Sequence, residues 1–538
     1  MSKKTKSVLI NISLLVAGIF LFALPHPTNL LLCGIPILSY FAFIPIFILI
    51  TRVSWKTVWF YGFLYGIGSY TVYVWWLATF NPAAMPVIAG MYGLYLMITF
   101  PIMKAATVLF PKKAVYAQWI VWCAYEYIKT LGFTGFNYGV TAYSQYRWNV
   151  IIQCADIIGV FGLSAIITFT SAWLATVILD PAGKITDKIR NHKTAGFVWL
   201  GVFALVIVYG LVSPVDYKEE DAKTVALIQT NSDPWVGGTA SYRRDLRTLE
   251  RLSDDALAEN PEVDFVVWPE TAFVPRITYH YEERYDETRL ELVEKLLEYI
   301  DSKDVPFIIG NDDCVKGYDH NGIWTDCDYN AVLLFRPGEN CIPPEPERYW
   351  KLHLVPFTES FPFEKLLPGI YTFLVENDTH FWEQGTDPVI FEVDGLKFGT
   401  PICFEDTFGS IGRLFALNGA EALVNLSNDA WARSEACQRQ HLAMGLFRTV
   451  ENRIPSVRST ASGQTVIIDP NGKVLAQAEP FTESYIIGKI PLADKEGMTI
   501  YTRFGDWTGV LSIILMAAMF VYGIVLKITG KKYGKTAD

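Results

Sequence analysis

Charge is scarce in this chain. Asp, Glu, Lys and Arg make up 19% of its 538 residues, where a soluble globular domain carries roughly 25%. Basic residues are the scarcer kind, 45 against 55 acidic ones, for a formal net charge of −10. A nucleic-acid binder needs a basic face to neutralise phosphates, so that class is excluded. Cysteine is sparse as well, with eight in the whole chain, too few for a disulfide-stapled scaffold. What abounds is apolar, 51% of all residues. That excludes disorder and points to a membrane.

The apolar residues are not spread evenly. Runs of near-spanning length fill 1–212, at 7–24, 30–51, 57–79, 84–110, 114–129, 151–179 and 195–212. Crossing the hydrocarbon as a helix takes roughly 20 apolar residues, and most of these runs reach that. The fifth, interrupted by Glu126, is the weakest. Lys3, Lys4 and Lys6 before the first run would suit a signal peptide. No small-x-small cleavage site follows and further apolar runs do, so an uncleaved helix is the better reading.

Loop charges test that count. Basic residues precede the first run and follow the second (Arg52, Lys56), the fourth (Lys112, Lys113) and the sixth (Lys184, Lys188, Arg190, Lys193). The alternate loops 25–29 and 80–83 have no Lys or Arg, and 130–150 has only Arg147. The positive-inside rule then puts the N-terminus in the cytoplasm and everything after residue 212 outside it. From about 213 to 503 the composition is that of an ordinary folded domain, and the last apolar run, 508–526, ends in Lys527, Lys531, Lys532 and Lys535. The expected organisation is a membrane domain of about seven helices over 1–212 and an extracytoplasmic domain over 213–503. A final helix with a cytoplasmic tail over 504–538 follows, giving eight crossings.

Within 213–503 short β-branched or apolar runs alternate with helical patterns. Strands are predicted at 224–229 (TVALIQ), 263–268, 307–310, 331–335, 397–403, 422–426, 456–460 and 465–469. Helices are predicted at 241–260, 287–301, 409–418 and 438–452. Such alternation implies a layered α/β domain. Three polar residues stand where strands should end: Glu270 after VVWP, Lys351 opening KLHLVPFTES and Cys403 closing FGTPIC. Ligands in α/β sheets bind beyond strand ends. Singly, each has an ordinary reading as a loop or cap carboxylate, a surface charge and an inert small hydrophobe. Together they make a workable acyl-transfer set: a thiol, a carboxylate to take its proton and an ammonium to stabilise an oxyanion. A His-dependent triad fits less well, because His353 and His441 sit in no matching nucleophile signature.

WPE at 268–270, the Lys351 block and GTPICFED around Cys403 resemble the nitrilase (carbon–nitrogen hydrolase) superfamily, whose members share an αββα sandwich and a Glu–Lys–Cys triad. The chain resembles more closely the apolipoprotein N-acyltransferase family, through KxHLVPF, ICxE, NLSNDAW at 425–431, the RST at 458–460, and FTGFNYG and YSQ in the membrane half. The resemblance implies eight membrane helices with this domain before the last, in the bacterial inner membrane. It makes Glu270 the general base, Lys351 the oxyanion stabiliser and Cys403 the nucleophile, with Glu359 and Glu405 in support. Trp235 and Trp431 match tryptophans of active-site loops, where lipid or loop packing is expected, with ordinary core packing an equal reading. Asn428 is expected to orient such a loop. The family departs from this chain at Thr358 (commonly Gly), Phe404 (commonly Tyr), Ala432–Arg433 (usually Phe-Gly) and Arg439 (aromatic).

The implied reaction moves an acyl chain from a phospholipid through a Cys403 thioester to the α-amine of a diacylglyceryl-cysteine apolipoprotein. No cofactor or metal takes part, and a monomer is expected. Two rivals are a membrane-tethered amidase or nitrilase, and a transporter or receptor whose soluble domain only binds. The second would require charges deep in several spans, where only Lys104, Glu126 and Asp156 occur. Cys314 and Cys327 flank a Gly/Asp-rich stretch and are a candidate disulfide, while no CxxC or paired-His spacing supports zinc.

Overall fold

A computed structural model describes residues 2–218, 222–361, 363–376, 379–494 and 497–529. The expected cytoplasmic tail with Lys531, Lys532 and Lys535 lies outside the described residues. Two compact units form. One is drawn from the described residues of Met1–Pro214, Ser434–Ala443 and Phe504–Asp538, the other from Val215–Arg433 and Met444–Arg503.

In the first unit every apolar run is helical over at least part of its length. Lys3–Ala23, Ala84–Leu109, Ala155–Leu179, Lys193–Val212 and Trp507–Ile528 are long and apolar enough to cross a membrane. Pro36–Arg52, Val58–Tyr73 and Ala114–Ile128 are shorter. Hydropathy overstates helix length here because the turns beside the helices are apolar too. The run 57–79 leaves helical geometry at Val74 (φ −111°, ψ 36°) and resumes as the short helix Leu77–Phe80.

The ionisable residues of these runs have identifiable structural tasks. The Lys104 ammonium donates to the carbonyls of Ile50 and Thr51 at 3.0 and 2.9 Å, satisfying open carbonyls at a helix C-terminus. Glu126 accepts from the Thr141 hydroxyl and, at 3.2 Å, from the Trp122 indole. Tyr209 donates to Asp156 at 2.9 Å. Lys129 donates at 2.7 Å to the carbonyl of Tyr138 and so ties down the FTGFNYG segment. Each polar group is held by its own scaffold, as hydrocarbon surroundings require.

The second unit is built on two six-stranded sheets. Its strands are β1 (Thr224–Gln229), β2 (Phe265–Val267), β3 (Phe307–Tyr318), β4 (Trp324–Phe335), β5 (Glu347–Trp350) and β6 (Ile390–Val393). They continue with β7 (Leu396–Gly399), β8 (Ala422–Ser427), β9 (Ser456–Thr460), β10 (Val466–Ile468), β11 (Val474–Gln477) and β12 (Ser484–Lys489). One sheet runs β12-β1-β2-β3-β4-β5 and the other β11-β10-β9-β8-β7-β6. Central pairs β1–β2, β2–β3, β7–β8 and β8–β9 are parallel, as crossover helices demand.

Every residue of β1 is buried, because both faces of its sheet are covered. Ala226, Ile228 and Val266 face a core completed by Leu246, Leu249 and Leu252 of the helix Thr239–Glu259 and Val293, Leu296 and Ile300 of Glu287–Asp301. On the opposite face Phe265 of β2 stacks on Phe398 of β7, ring centres 5.7 Å apart. The Ser459 hydroxyl of β9 sits within hydrogen-bonding distance of the carbonyls of Ile228 and Val267, at 2.7 and 3.1 Å. Sheet therefore packs on sheet, and Phe415 of the helix Gly409–Leu417 fills the space over Gly399 on the outer side. The layers are αββα.

The candidate disulfide is corrected. In the β3–β4 hairpin Cys314 pairs with Asp328 and Cys327 with Val315. Paired residues share a face and successive residues alternate, so the two cysteines point to opposite faces. Both are thiols.

Candidate active site

The site collects beyond the ends of β2, β5, β7 and β8, with one residue from the middle of β4. Glu270 follows β2 by three residues and is almost fully buried. Gly310 of β3 lies directly against it: a Cβ there would stand 2.6 Å from the Glu270 Cα, which explains why FIIG ends in glycine. One Glu270 oxygen accepts from the Asn330 side chain at 2.8 Å and from the Lys351 ammonium at 3.4 Å. The other accepts the backbone N–H of Asn428 at 2.9 Å. Asn330, on β4, was not signalled by the sequence.

Lys351, fully buried just past β5, donates at 2.8 Å to Glu359. Glu359 in turn accepts the Val355 N–H at 2.8 Å, closing its own loop. Burial alone would lower the Lys351 pKa. The carboxylates of Glu359 and Glu270, with Cys403, outweigh it and raise the pKa above its ordinary value. The ammonium therefore stays charged across the working pH range. His353, beside it, is pushed down to about 4 by burial and then by the Lys351 charge, so it is neutral.

Cys403 opens a tight turn, Cys403–Thr407, beyond β7 and is partly exposed. Its φ of 48° is left-handed, a conformation a non-glycine residue holds only when its surroundings fix it. Glu405 does the fixing. Fully buried, it accepts the N–H of Ile402 at 2.7 Å, the N–H groups of Leu352 and His353 at 2.7 and 2.9 Å, and the Tyr349 hydroxyl at 2.9 Å. One side chain thus ties the Cys403 turn to the Lys351 loop. Burial pushes its pKa up to about 7 against the Ile402 N–H, the Lys351 charge, the Tyr349 hydroxyl and the His353 N–H.

Asn428 caps the turn Asp429–Ala432 by accepting the Ala430 N–H at 3.2 Å. Trp431 of that turn meets Trp235 edge to face, ring centres 5.0 Å apart, and Arg433 pairs with Asp233 at 3.1 Å. The two tryptophans, both part-exposed, pack on each other and hold two loops together. Arg433 is left-handed at φ 45°, which accounts for the glycine usual there in the resembling family.

Two family models match the chain. "Carbon-nitrogen hydrolase" covers residues 224–498 and "Apolipoprotein N-acyltransferase N-terminal domain" covers 17–173. Apolipoprotein N-acyltransferase 1 of Treponema denticola is 41% identical over 528 residues, 96% of this chain and 97% of that one. Its counterpart in Treponema pallidum is 44% identical, covering 94% of each chain. The chain belongs to the apolipoprotein N-acyltransferase family. The protein from Borreliella burgdorferi is similar at 27% identity over 90% of both chains. The family match runs through the membrane half as well as the nitrilase-like half, so it covers more than the hydrolase fold.

Proposed function

We propose that this protein transfers an acyl chain from a phospholipid to the N-terminal α-amine of a diacylglyceryl-cysteine apolipoprotein, through a thioester on Cys403. N-acyl transfer to an apolipoprotein is the activity named for its full-length relatives. The observation that carries the reading here is the buried Glu270–Lys351–Glu359 contact set, tied through Glu405 to the turn that holds Cys403.

Glu270 takes the Cys403 thiol proton, and the sulfur attacks the ester carbonyl carbon. The charge that develops on the carbonyl oxygen is met by the Lys351 ammonium, kept protonated by its two carboxylates. The C–O bond breaks, Glu270 returns the proton to the departing lysophospholipid oxygen, and the acyl group remains on sulfur. The acceptor amine, as free base, then attacks the thioester carbon. A C–N bond forms, the C–S bond breaks, and the proton lost by nitrogen passes through Glu270 to the Cys403 sulfur. Glu359, Glu405 and Asn428 act by holding these groups, and Trp235 and Trp431 frame the loops that admit lipid.

The topology belongs to the same proposal: eight crossings, domains at 1–212, 213–503 and 504–538, both termini cytoplasmic, the catalytic domain outside. Alternating loop charge supports it. Lifting an acyl chain into water costs about 0.8 kcal/mol per methylene, a cost that a bilayer-level site avoids, and a match through the membrane half exceeds what a membrane-tethered amidase would need. Incubation with labelled phospholipid tests the reading. Acyl label should appear on Cys403 with release of lysophospholipid, and Cys403→Ser should take none. Label on the serine variant at the wild-type yield would refute the nucleophile, and hydrolysis of small amides without acyl label would favour the amidase.

A further inference from the structure

The RST segment at 458–460 is not used by the mechanism above, yet its arginine is fully buried behind the site. Arg458, on β9, directs one guanidinium nitrogen to the carboxylate of Asp406 and another to that of Asp429, the latter 3.7 Å away. Both carboxylates belong to catalytic loops. Asp406 lies three residues after Cys403 in the same turn. Asp429 follows Asn428, whose N–H is held by Glu270, and an Asp429 oxygen lies within 4.8 Å of the Cys403 sulfur. One cation thus stands between the loop that carries the nucleophile and the loop that grips the base.

A second observation shows that this contact is built in. Gly445 sits in the middle of the helix Glu435–Asn452, where alanine would be the better helix former. A Cβ at that position would stand 2.7 Å from the bonded Asp406 oxygen and 2.9 Å from the Arg458 nitrogen. The helix gives up a side chain so that the ion pair can occupy the space. A buried carboxylate needs such a partner, and the planar fork of arginine can serve two at once where lysine serves one.

We propose that Arg458 is a positioning residue for acyl transfer, a strut that sets the spacing between the Cys403 sulfur and the Glu270 carboxylate through Asp406 and Asp429. It touches no reacting atom. It rests on the assignment of Cys403 and Glu270 above, so wild-type acyl-Cys403 formation reports that assignment and the variants report the strut. Losing the fork lets the two loops drift, and a misplacement near 1 Å at a reacting pair lowers turnover by roughly a hundredfold.

The test uses the full-length protein with phospholipid, following lysophospholipid release and acyl-Cys403. Arg458→Lys keeps the charge and should lower kcat roughly ten- to hundredfold while the phospholipid KM stays within about twofold. Gly445→Ala presses on the same contact without changing any charge, and should show the same split even if the lysine variant folds poorly. Asp429→Asn added to Arg458→Lys should cost no further activity, since both remove one strut. Wild-type kcat in Gly445→Ala, a loss confined to KM, or independent multiplying losses in the double variant would each overturn the proposal.

Discussion

Glu405→Gln is the most informative single change, because the geometry dictates what it must break. One carboxylate oxygen accepts the N–H groups of Leu352 and His353, the other the N–H of Ile402, and Tyr349 donates to both. A glutamine must turn its NH2 toward one of these sets. The milder choice faces Ile402, losing one bond from a charged acceptor and stranding a buried N–H next to the nucleophile. That should destabilise the catalytic unit by about 2–4 kcal/mol at pH 8. The acyl-enzyme rate should fall further than the folded fraction does, since the residue after Ile402 is Cys403. The pH dependence carries a definite sign. Burial raises Glu405 from its ordinary 4.5 to about 7, so between those values the native state holds a proton that the unfolded chain has lost. Stability from this group is therefore present at acid pH and fades as pH rises through 7, by at most about 3 kcal/mol. Denaturant unfolding in detergent, compared with the non-titrating glutamine variant, reads it out. The wild-type advantage should shrink from pH 5 to pH 8. A pH-independent difference, or a glutamine variant with wild-type acylation, would refute the hub assigned to Glu405.

Three further outcomes follow from the same contacts. Lys351→Met leaves Glu270 and Glu359 facing each other without their cation. It should destabilise the catalytic unit by roughly 3–5 kcal/mol and cut acyl-enzyme formation at least about a hundredfold, seen by unfolding and by mass spectrometry of Cys403. Cys314 and Cys327 should both be alkylated in protein unfolded without reductant, whereas protection of the pair would contradict the strand register. Lys104→Met should lower the stability of the membrane unit by about 1–3 kcal/mol, because the carbonyls of Ile50 and Thr51 lose their donor. An unchanged thermal midpoint would argue that those carbonyls find other partners.

The strands that could be read from sequence and those that could not differ in one physical respect. TVALIQ and the β2 region are central, covered on both faces, and so continuously apolar. The strands left unread, β5, β6 and β12, all lie at sheet edges, β5 and β12 in the first sheet and β6 in the second. One side of an edge strand meets solvent, and charge there discourages unwanted pairing. Their sequences, ERYW and SYIIGK among them, therefore mix charged residues into short apolar stretches. The β3–β4 hairpin shows both conditions within one element. Its ends FIIG and AVLLF are apolar and were legible, while NDDCVKGY and WTDCDYN are polar and read as loop, although only their outer parts are exposed and Asn311, Asp313 and Asn330 are buried.

The same distinction governs the site. Glu270, Lys351 and Cys403 follow strands and sit in blocks that resemble a known family, so the three together, with their neighbours, stand out as candidates where each alone would not. Asn330, Tyr349 and Arg458 act only through what they meet, and their partners lie 60, 56 and 52 residues away in the chain. An asparagine in a polar strand or an arginine in RST has no local mark of that task. The order of the sheets creates the task, by bringing residues within β4, β5 and β9 under the loops that β2, β7 and β8 project. A candidate triad can therefore be proposed by motif, but its spacing is a property of the fold. For that reason the substitutions most able to separate chemistry from scaffolding are at Glu405 and Arg458, behind the reacting groups rather than among them.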